Sequence, residues 1–276
     1  MKLRRWSASL LTAALFVPAL TACGSGDPTT PGAEAATTAG PAIPADPREA
    51  LLASTKELQQ GDYTFTVASD GPTSGSGTLN LPAASAEIRV TIRGPEAEDL
   101  TIAAHHTHID GEQWIKVDVK GALLDYFRDL KAMNGKYQKV DPARAEGVEG
   151  LTFDRAEDYD PAGGEELVKA ASDIEKAGEG RYTGTVDLTK ATDAGAIDEE
   201  FVKELGGKAA AVPFTATLDP QGRLTELVLT MPAAGGFPAH DVAVKYADYG
   251  AAPEVKKPPA DKVVKAADRV YTLFES

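Results

Sequence analysis

Runs in which apolar and polar residues alternate dominate this sequence, and they restrict its fold more than any other feature. Alternation with period two is typical of β-strands that are apolar on one face only. Turn-forming residues join several runs, as at Gly94-Pro95, Asp110-Gly111 and residues 219–222, and they favour antiparallel neighbours. The predicted strands contain DYTFTV, TLNL, EIRVTIR, LTIAAHHTHI and EQWIKVDV, and later RYTGTVDL, VPFTATL, RLTELVLTM and HDVAVKY.

A helix is predicted directly before the first of these strands. Asp46 can cap it, with Pro47 in its first turn and Glu49 completing a capping box. Gly61 would end the helix. Its apolar face would be formed by Leu51, Leu52, Thr55 and Leu58.

A second helix of similar pattern is predicted before RYTGTVDL. Leu167, Ala171 and Ile174 have helical spacing, and Gly178 and Gly180 would end the helix. The stretches ALLASTKELQQGDYTFTV and LVKAASDIEKAGEGRYTGTV can therefore be interpreted as two copies of one unit. A chance match is the alternative to an internal repeat.

Two further helical faces complete the expected elements. Leu123, Leu124, Phe127 and Leu130 form one, and Ile197, Phe201 and Leu205 form a shorter one. The sum predicts an α+β fold with one long antiparallel sheet and helices gathered on its apolar face. Because strand twist accumulates, such a sheet should curve strongly into a half-barrel or a closed barrel, with the apolar face concave.

The first 22 residues have the anatomy of a secretory leader, and the only cysteine follows them. Basic residues precede an apolar run from Leu10 to Leu20, which is shorter than the roughly 20 residues of a membrane-spanning helix. The sequence LTAC resembles a bacterial lipobox, which implies a diacylglyceryl group on Cys23 and cleavage just before it. An unmodified cysteine in a discarded leader is the alternative.

Residues 24–46 are rich in Gly, Pro, Thr and Ala and predict a disordered linker. As a flexible coil of about 23 residues it would reach on the order of 25 Å. The expected organisation is a lipoprotein signal peptide at 1–22, the lipidated Cys23 with its linker at 23–46, and one lipid-binding domain at 47–276. The protein would then be anchored on the extracytoplasmic face of the cell membrane.

The net charge is strongly negative and restricts the partners. The whole chain has 28 basic and 42 acidic residues, a net charge of −14. Removal of the leader takes away three basic residues and leaves 25 − 42 = −17. This charge argues against nucleic acid as a partner, and it predicts that membrane association depends on acyl chains and not on basic residues.

Catalytic and metal motifs give little support to an enzyme. HExxH, GxSxG, GxGxxG and P-loop patterns are missing from the sequence. DYDPAGGEELVK begins like a calcium loop, but Ala162 and Lys169 stand where oxygen ligands are required, so we interpret it as a helix entry. We therefore expect no catalytic residue, no cofactor and no metal.

A histidine cluster is the one motif that could hold a transition metal. Of His105, His106 and His108, the last two would share one strand face and could hold Zn²⁺ or Cu²⁺. A solvated strand end is the preferred interpretation. Trp114 is interpreted as a packed or rim aromatic residue, with a ligand-stacking platform as the alternative.

With these motifs the chain resembles the LppX/LprAFG family of actinobacterial lipoproteins, whose fold is similar to that of the lipoprotein carriers LolA and LolB. The resemblance covers nearly all of the mature domain. It implies a half-barrel whose helices cover a concave apolar cavity that binds or carries acylated envelope lipids. It implies no catalytic residue and assigns no cavity residue. It depends on LTAC, GDYTFTV, GEQWIKVDV, KYQKVDP, and VKYADYG followed by VKKPPADKV.

The expected function is a membrane-anchored carrier of acylated lipid that acts without catalysis. The alternative is an envelope protein-interaction module with a solid core, and an unrecognised hydrolase is a weaker one. Strand alternation predicts the cavity residues, and plain core packing is the alternative for each. They are Phe65, Val67, Leu79, Leu81, Ile88, Val90, Ile92, Ile115, Val117, Val119, Phe214, Leu227, Leu229, Val242 and Val244.

Overall fold

A computed structural model describes residues 42–94, 100–121, 134–145, 159–191 and 194–273. These residues form an α+β structure made mostly of one curled but open sheet. The predicted helical face at Leu123, Leu124, Phe127 and Leu130 lies outside the described residues, as do residues 1–41 with Cys23. None of the described helices is long and apolar enough to cross a bilayer.

Twelve strands of the described chain form the sheet. Its strand order is 12-6-5-4-3-2-1-11-10-9-8-7, and every pair is antiparallel except 12 with 6. The strands are β1 Asp62–Ser69, β2 Thr73–Asn80, β3 Ser85–Arg93, β4 Thr101–Ile109, β5 Glu112–Lys120, β6 Tyr137–Lys139, β7 Ala171–Gly178, β8 Arg181–Val186, β9 Val212–Leu218, β10 Leu224–Met231, β11 His240–Ala247 and β12 Val263–Lys265.

Short helices connect the strands. The described α-helices are α1 Pro47–Ser54, α2 Pro142–Ala145, α3 Gly164–Lys169, α4 Glu199–Leu205 and α5 Asp268–Leu273. Five 3₁₀ segments accompany them, at Lys56–Gln60, Leu81–Ala83, Leu188–Lys190, Gly206–Ala211 and Ala260–Lys262.

The first predicted helix is confirmed in its start and its end. The Asp46 side chain accepts a hydrogen bond from the Glu49 N–H, and the chain turns into β1 at Gly61, whose φ is +61°. The Leu52 prediction is wrong: its side chain is 37% exposed, whereas Leu51 and Leu58 are fully buried. Leu52 follows Leu51 in α1 and is therefore rotated from it by about 100°. The predicted α-helical face does not extend to Leu58, because α1 ends at Ser54 and Leu58 lies in the 3₁₀ segment that follows.

The second predicted helix is wrong over most of its length. Only Gly164–Lys169 is helical, and Ala171–Gly178 forms the edge strand β7 paired with β8. The internal repeat therefore fails in its helical part. Pairing with β8 outweighs the helical spacing of the sequence, because segment propensity is a weak preference that tertiary context overrides.

The two faces of the sheet differ in character. We call the face that bears Val67, Val244 and Leu227 the inner face, and the face that bears His105 and Trp114 the outer face. Helix residues pack on the inner face, where they join the strands of the β1 side in one core. The helix residues of this core include Leu51, Leu167, Val168, Phe201 and Leu205.

Candidate functional site

The predicted cavity residues lie together on the inner face, with the exception of Leu81, which follows β2 in a 3₁₀ segment. One row of directly opposed residues crosses seven strands and shows the arrangement. It runs from Val117 through Ala104, Val90, Gly75, Val67 and Val244 to Leu227.

Burial changes along this row. Val67, Val244 and Leu227 are buried in the core that the helices share. Gly75, Val90, Ala104 and Val117 are half-buried. The same face of one sheet is therefore close-packed on one side and partly open on the other.

The core side holds most of the predicted residues in ordinary packing. Each of these side chains is at most 6% exposed, so it is packed among neighbours in the described structure. They are Phe65, Val67, Leu79, Phe214, Leu227, Leu229, Val242 and Val244. Ile115 is buried in a smaller cluster with residues of α2 and α5, against which Val117 packs.

The partly open side consists of apolar residues on β3, β4 and β5, which we call the inner strip. Ile92 lies opposite Ile102, and Val90 lies opposite Ala104, which in turn faces Val117. Ile92 is 43% exposed. The inner strip is formed by Ile88, Val90, Ile92, Ile102, Ala104 and Val117.

A cleft of about 490 Å³ begins where the inner strip ends at Ile92. Phe201 of α4 and Phe237 form its apolar wall, with ring centroids 6.2 Å apart in an edge-to-face arrangement. Charged side chains line it as well, namely Arg93, Asp198, Glu200 and Glu204. The cleft and the inner strip share Ile92, so partly exposed apolar residues continue from the strip into a cleft of mixed polarity.

Ile102, Ala104 and Phe237 were missed by reasoning from sequence. Ile102 and His106 are four residues apart on β4, so the alternation of side chains along a strand predicts that both lie on the same face. Phe237 lies in an irregular segment before β11, and no local pattern brings it to Phe201.

The histidines lie in the middle and second half of β4. The prediction that His106 and His108 share a face is confirmed. His106 lies between Ile88 and Ile115 on the inner face, 3.3 Å from Oε1 of Gln113, and burial lowers its pKa to about 4. His106 is half-buried between these apolar neighbours, so it is less solvated than the strand-end interpretation assumes.

His105 points to the outer face and has polar partners there. Its Nε2 lies 2.6 Å from Oε1 of Glu87, and its Nδ1 lies 3.2 Å from the Tyr137 hydroxyl. The hydrogen bond with His105 lowers the pKa of Glu87. Within the part of the chain that the structure describes, no three His, Cys, Asp or Glu side chains are grouped as metal ligands.

Trp114 is packed, as expected. It lies on the outer face, 4% exposed, in a small cluster with Ile109 and Val255. The ammonium groups of Lys139 and Lys257 lie 5.7 and 5.6 Å from its ring centroid. Both lysines also bind the Glu112 carboxylate. The ring therefore packs against the protein's own cations.

The helix entry at DYDPAGGEELVK is confirmed. Oδ2 of Asp160 accepts a 2.8 Å hydrogen bond from the Glu165 N–H at the start of α3, and Oδ1 accepts one of 2.7 Å from the Tyr246 hydroxyl. Burial raises the pKa of Asp160, against the opposing effect of these hydrogen bonds. Asp160 thus joins α3 to the sheet.

Comparison of the sequence with protein-family models gives no match, and a search of curated proteins gives none either.

Proposed function

We propose that the protein is a lipid-anchored extracytoplasmic carrier that binds an acylated lipid along the inner strip and the adjoining cleft, without catalysis. The observation that carries the proposal is the change of burial from Val67 to Val90, two residues that share a row on one face. A close-packed interior would bury both alike. Contiguous apolar residues that are only partly covered are typical of a binding site.

The chemistry of the path favours an acyl chain. The strip offers aliphatic side chains and the methyl group of Ala104, and the cleft adds two aromatic rings. Burying about sixteen methylenes contributes on the order of 13 kcal/mol gross, so partial cover of a chain is enough for stable binding. Charged groups at the cleft, such as Arg93 and Glu200, can stay hydrated beside a polar head group.

The curled sheet supports the more specific part of the proposal, a half-barrel with helices over its concave face. Helices α1, α3 and α4 contribute Leu51, Leu167 and Phe201 to the inner-face core. The resemblance of LTAC to a lipobox supports attachment through Cys23. Two acyl chains hold a protein at a membrane far better than one.

A tryptophan scan on one row tests the proposal. Val90→Trp should weaken binding of a lipid with a fluorescent acyl chain at least about tenfold, because the indole takes the place of the chain. Arg89→Trp is the matched control, since Arg89 lies on the outer face of the same strand with 54% of its side chain exposed. It should leave the affinity within about twofold.

Stability separates an open strip from a solid core in the same experiment. The free energy of unfolding of Val90→Trp should lie within about 1 kcal/mol of the wild-type value, since the indole can extend over the inner strip. Val244→Trp, in the packed part of the same row, should lose about 3 kcal/mol or more. Equal and large losses of stability in both variants, together with no binding of the lipid probe by the wild type, would support an interaction module with a solid core instead.

A further inference from the structure

We propose that a lysine-rich edge of the sheet docks on an anionic lipid surface, a function that goes beyond lipid binding by the inner strip and does not depend on it. We call this region the lysine edge; it comprises β5, residues 134–139 with β6, and residues 252–265 with β12. Its partner is a layer of phosphate-bearing lipid head groups.

The local charge differs in sign from that of the whole chain. These three segments contain eight lysines and four acidic residues, so their net charge is 8 − 4 = +4 in a chain of −14. The acidic residues are Glu112, Asp118, Glu254 and Asp261. The chain therefore contains a basic region although its net charge is negative. The net charge of the whole chain does not predict whether the basic residues of this region take part in membrane association. The lysines are Lys116, Lys120, Lys136, Lys139, Lys256, Lys257, Lys262 and Lys265.

Strand pairing brings these lysines together from distant parts of the sequence. The parallel pairing of β12 with β6 places Lys265 beside Lys139, although 126 residues separate them. Lys257 approaches from the segment before β12 and shares the Glu112 carboxylate with Lys139. Lys139 and Lys257 are still 47% and 53% exposed, so one carboxylate does not cover two cations.

An apolar groove lies between the cations. It has a volume of about 390 Å³, and its lining includes Val140, Pro142, Val263 and Val264, with Lys139 and Lys265 at its sides and Asp141 also present. Val264 is 37% exposed. Val264 projects to the inner face and Lys139 and Lys265 to the outer face, so an aliphatic residue and two ammonium groups meet at the edge strand. Such an edge is suited to the head-group region, where apolar atoms enter and ammonium groups stay with phosphates.

Part of the lysine edge lies at the same end of the strands as the N-terminal side of the described domain. Ile43, near the start of the described chain, lies by the β9–β10 turn, where a Cβ at Gly222 would be 3.0 Å from its Cγ1. The antiparallel register puts this turn, Glu112, Lys139 and Lys265 at the same end of the strands. The opposite end bears the cleft at Ile92.

Lysine side chains favour a lipid surface over an acidic protein. They are point charges on flexible stems, and they are distributed over several elements. Such an arrangement suits a fluid layer of phosphates, to which each lysine near the surface adds attraction that salt weakens. A defined acidic peptide would be better served by arginine forks in fixed positions.

Vesicle binding by residues 23–276 with Cys23→Ser, which carry no acyl group, tests the proposal. This protein should bind vesicles of phosphatidylglycerol and phosphatidylcholine at low salt, should not bind phosphatidylcholine alone, and should be released by about 0.5 M salt. Lys262→Glu/Lys265→Glu keeps the ion pairs of Glu112 and should weaken binding at least about tenfold. Lys203→Glu/Lys176→Glu, on α4 and β7, makes the same change of charge away from the edge and should retain wild-type binding.

Circular dichroism and urea unfolding of each variant establish that it is folded. Equal loss in both double variants would overturn the proposal, because only the total charge would then matter. Absence of wild-type binding to anionic vesicles would overturn it too, as would binding to soluble polyglutamate without binding to vesicles. Val90→Trp should bind vesicles like the wild type, so failure of the lipid-carrier proposal is distinguishable from failure of this one.

Discussion

The hydroxyl of Tyr246 on β11 donates a 2.7 Å hydrogen bond to Oδ1 of Asp160, 86 residues earlier in the chain, and accepts one of 3.0 Å from the Gly164 N–H. Tyr246 is 3% exposed. This buried hydroxyl therefore fixes the start of α3 against the inner face, where α3 contributes to the core.

Removal of that hydroxyl should destabilise the domain. Tyr246→Phe leaves an Asp160 oxygen and the Gly164 N–H without their partner, at a cost of about 1 to 3 kcal/mol in the free energy of unfolding. Tyr159→Phe is the control, because the Tyr159 residue is 40% exposed; it should change this free energy by less than about 0.5 kcal/mol. Urea unfolding measures both. If Tyr246→Phe were as stable as the wild type, the hydroxyl would contribute nothing to the attachment of α3.

Gly77 on β2 should not tolerate a methyl group. It lies directly opposite Phe65, and a Cβ there would be 2.3 Å from Cε1 of that ring and 2.8 Å from the carbonyl oxygen of Glu87. Gly77→Ala should cost about 1 to 3 kcal/mol, because the ring is buried and the carbonyl belongs to the sheet. Gly207→Ala, with open space around its Cβ, should be neutral or slightly stabilising. Thermal unfolding of both proteins checks this, and a neutral Gly77→Ala would mean that the ring can move aside.

Stability should fall in mild acid because of His106. Burial lowers its pKa to about 4, whereas an imidazole in the unfolded chain titrates at about 6.5. Between these values the unfolded chain binds more protons, so the free energy of unfolding decreases as the pH falls, by up to about 3 kcal/mol. His106→Gln cannot titrate and should show a smaller decrease. Urea unfolding of both proteins from pH 7 to pH 4 measures this decrease. If the free energy of unfolding had the same pH dependence in both, His106 would not be its cause.

The sequence predicts most strands of this fold because their alternation is local. DYTFTV, EIRVTIR and HDVAVKY are confirmed within β1, β3 and β11, and Asp110-Gly111 is confirmed as the β4–β5 turn, where both residues have positive φ. The strands β6 and β12 have only three residues each and were not predicted. Their pairing joins residues 126 positions apart, and no local pattern encodes it.

The sequence predicts which residues lie on the inner face, but not which part of that face is close-packed and which part is partly open. Alternation assigns Val90 and Val244 to the same face equally well, and the register confirms that they share a row. Among the described residues, α1, α3 and α4 pack over the β1 side, which accounts for the burial of Val244, whereas Val90 is half-buried. Burial of this kind depends on contacts between distant elements, which periodicity does not contain.

The lipobox prediction depends on Cys23 alone. Cys23→Ser should prevent addition of the diacylglyceryl group, so the protein should leave the membrane fraction or keep its leader. Fractionation and intact-mass measurement of the full chain, expressed in a bacterium that processes lipoproteins, check both outcomes. Ser25→Ala is the control, because Ser25 lies two residues after Cys23 in the expected linker, and it should be processed like the wild type. A firmly anchored and processed Cys23→Ser protein would contradict the lipobox.

Native mass spectrometry of purified residues 23–276 with Cys23→Ser, followed by solvent extraction, tests the central claim most directly. The account predicts a population whose mass exceeds that of the chain by one acylated lipid, which extraction identifies, and depletion of that population in Val90→Trp but not in Arg89→Trp. Wild-type protein that carries no acylated lipid and takes none up from mixed lipid micelles would contradict it.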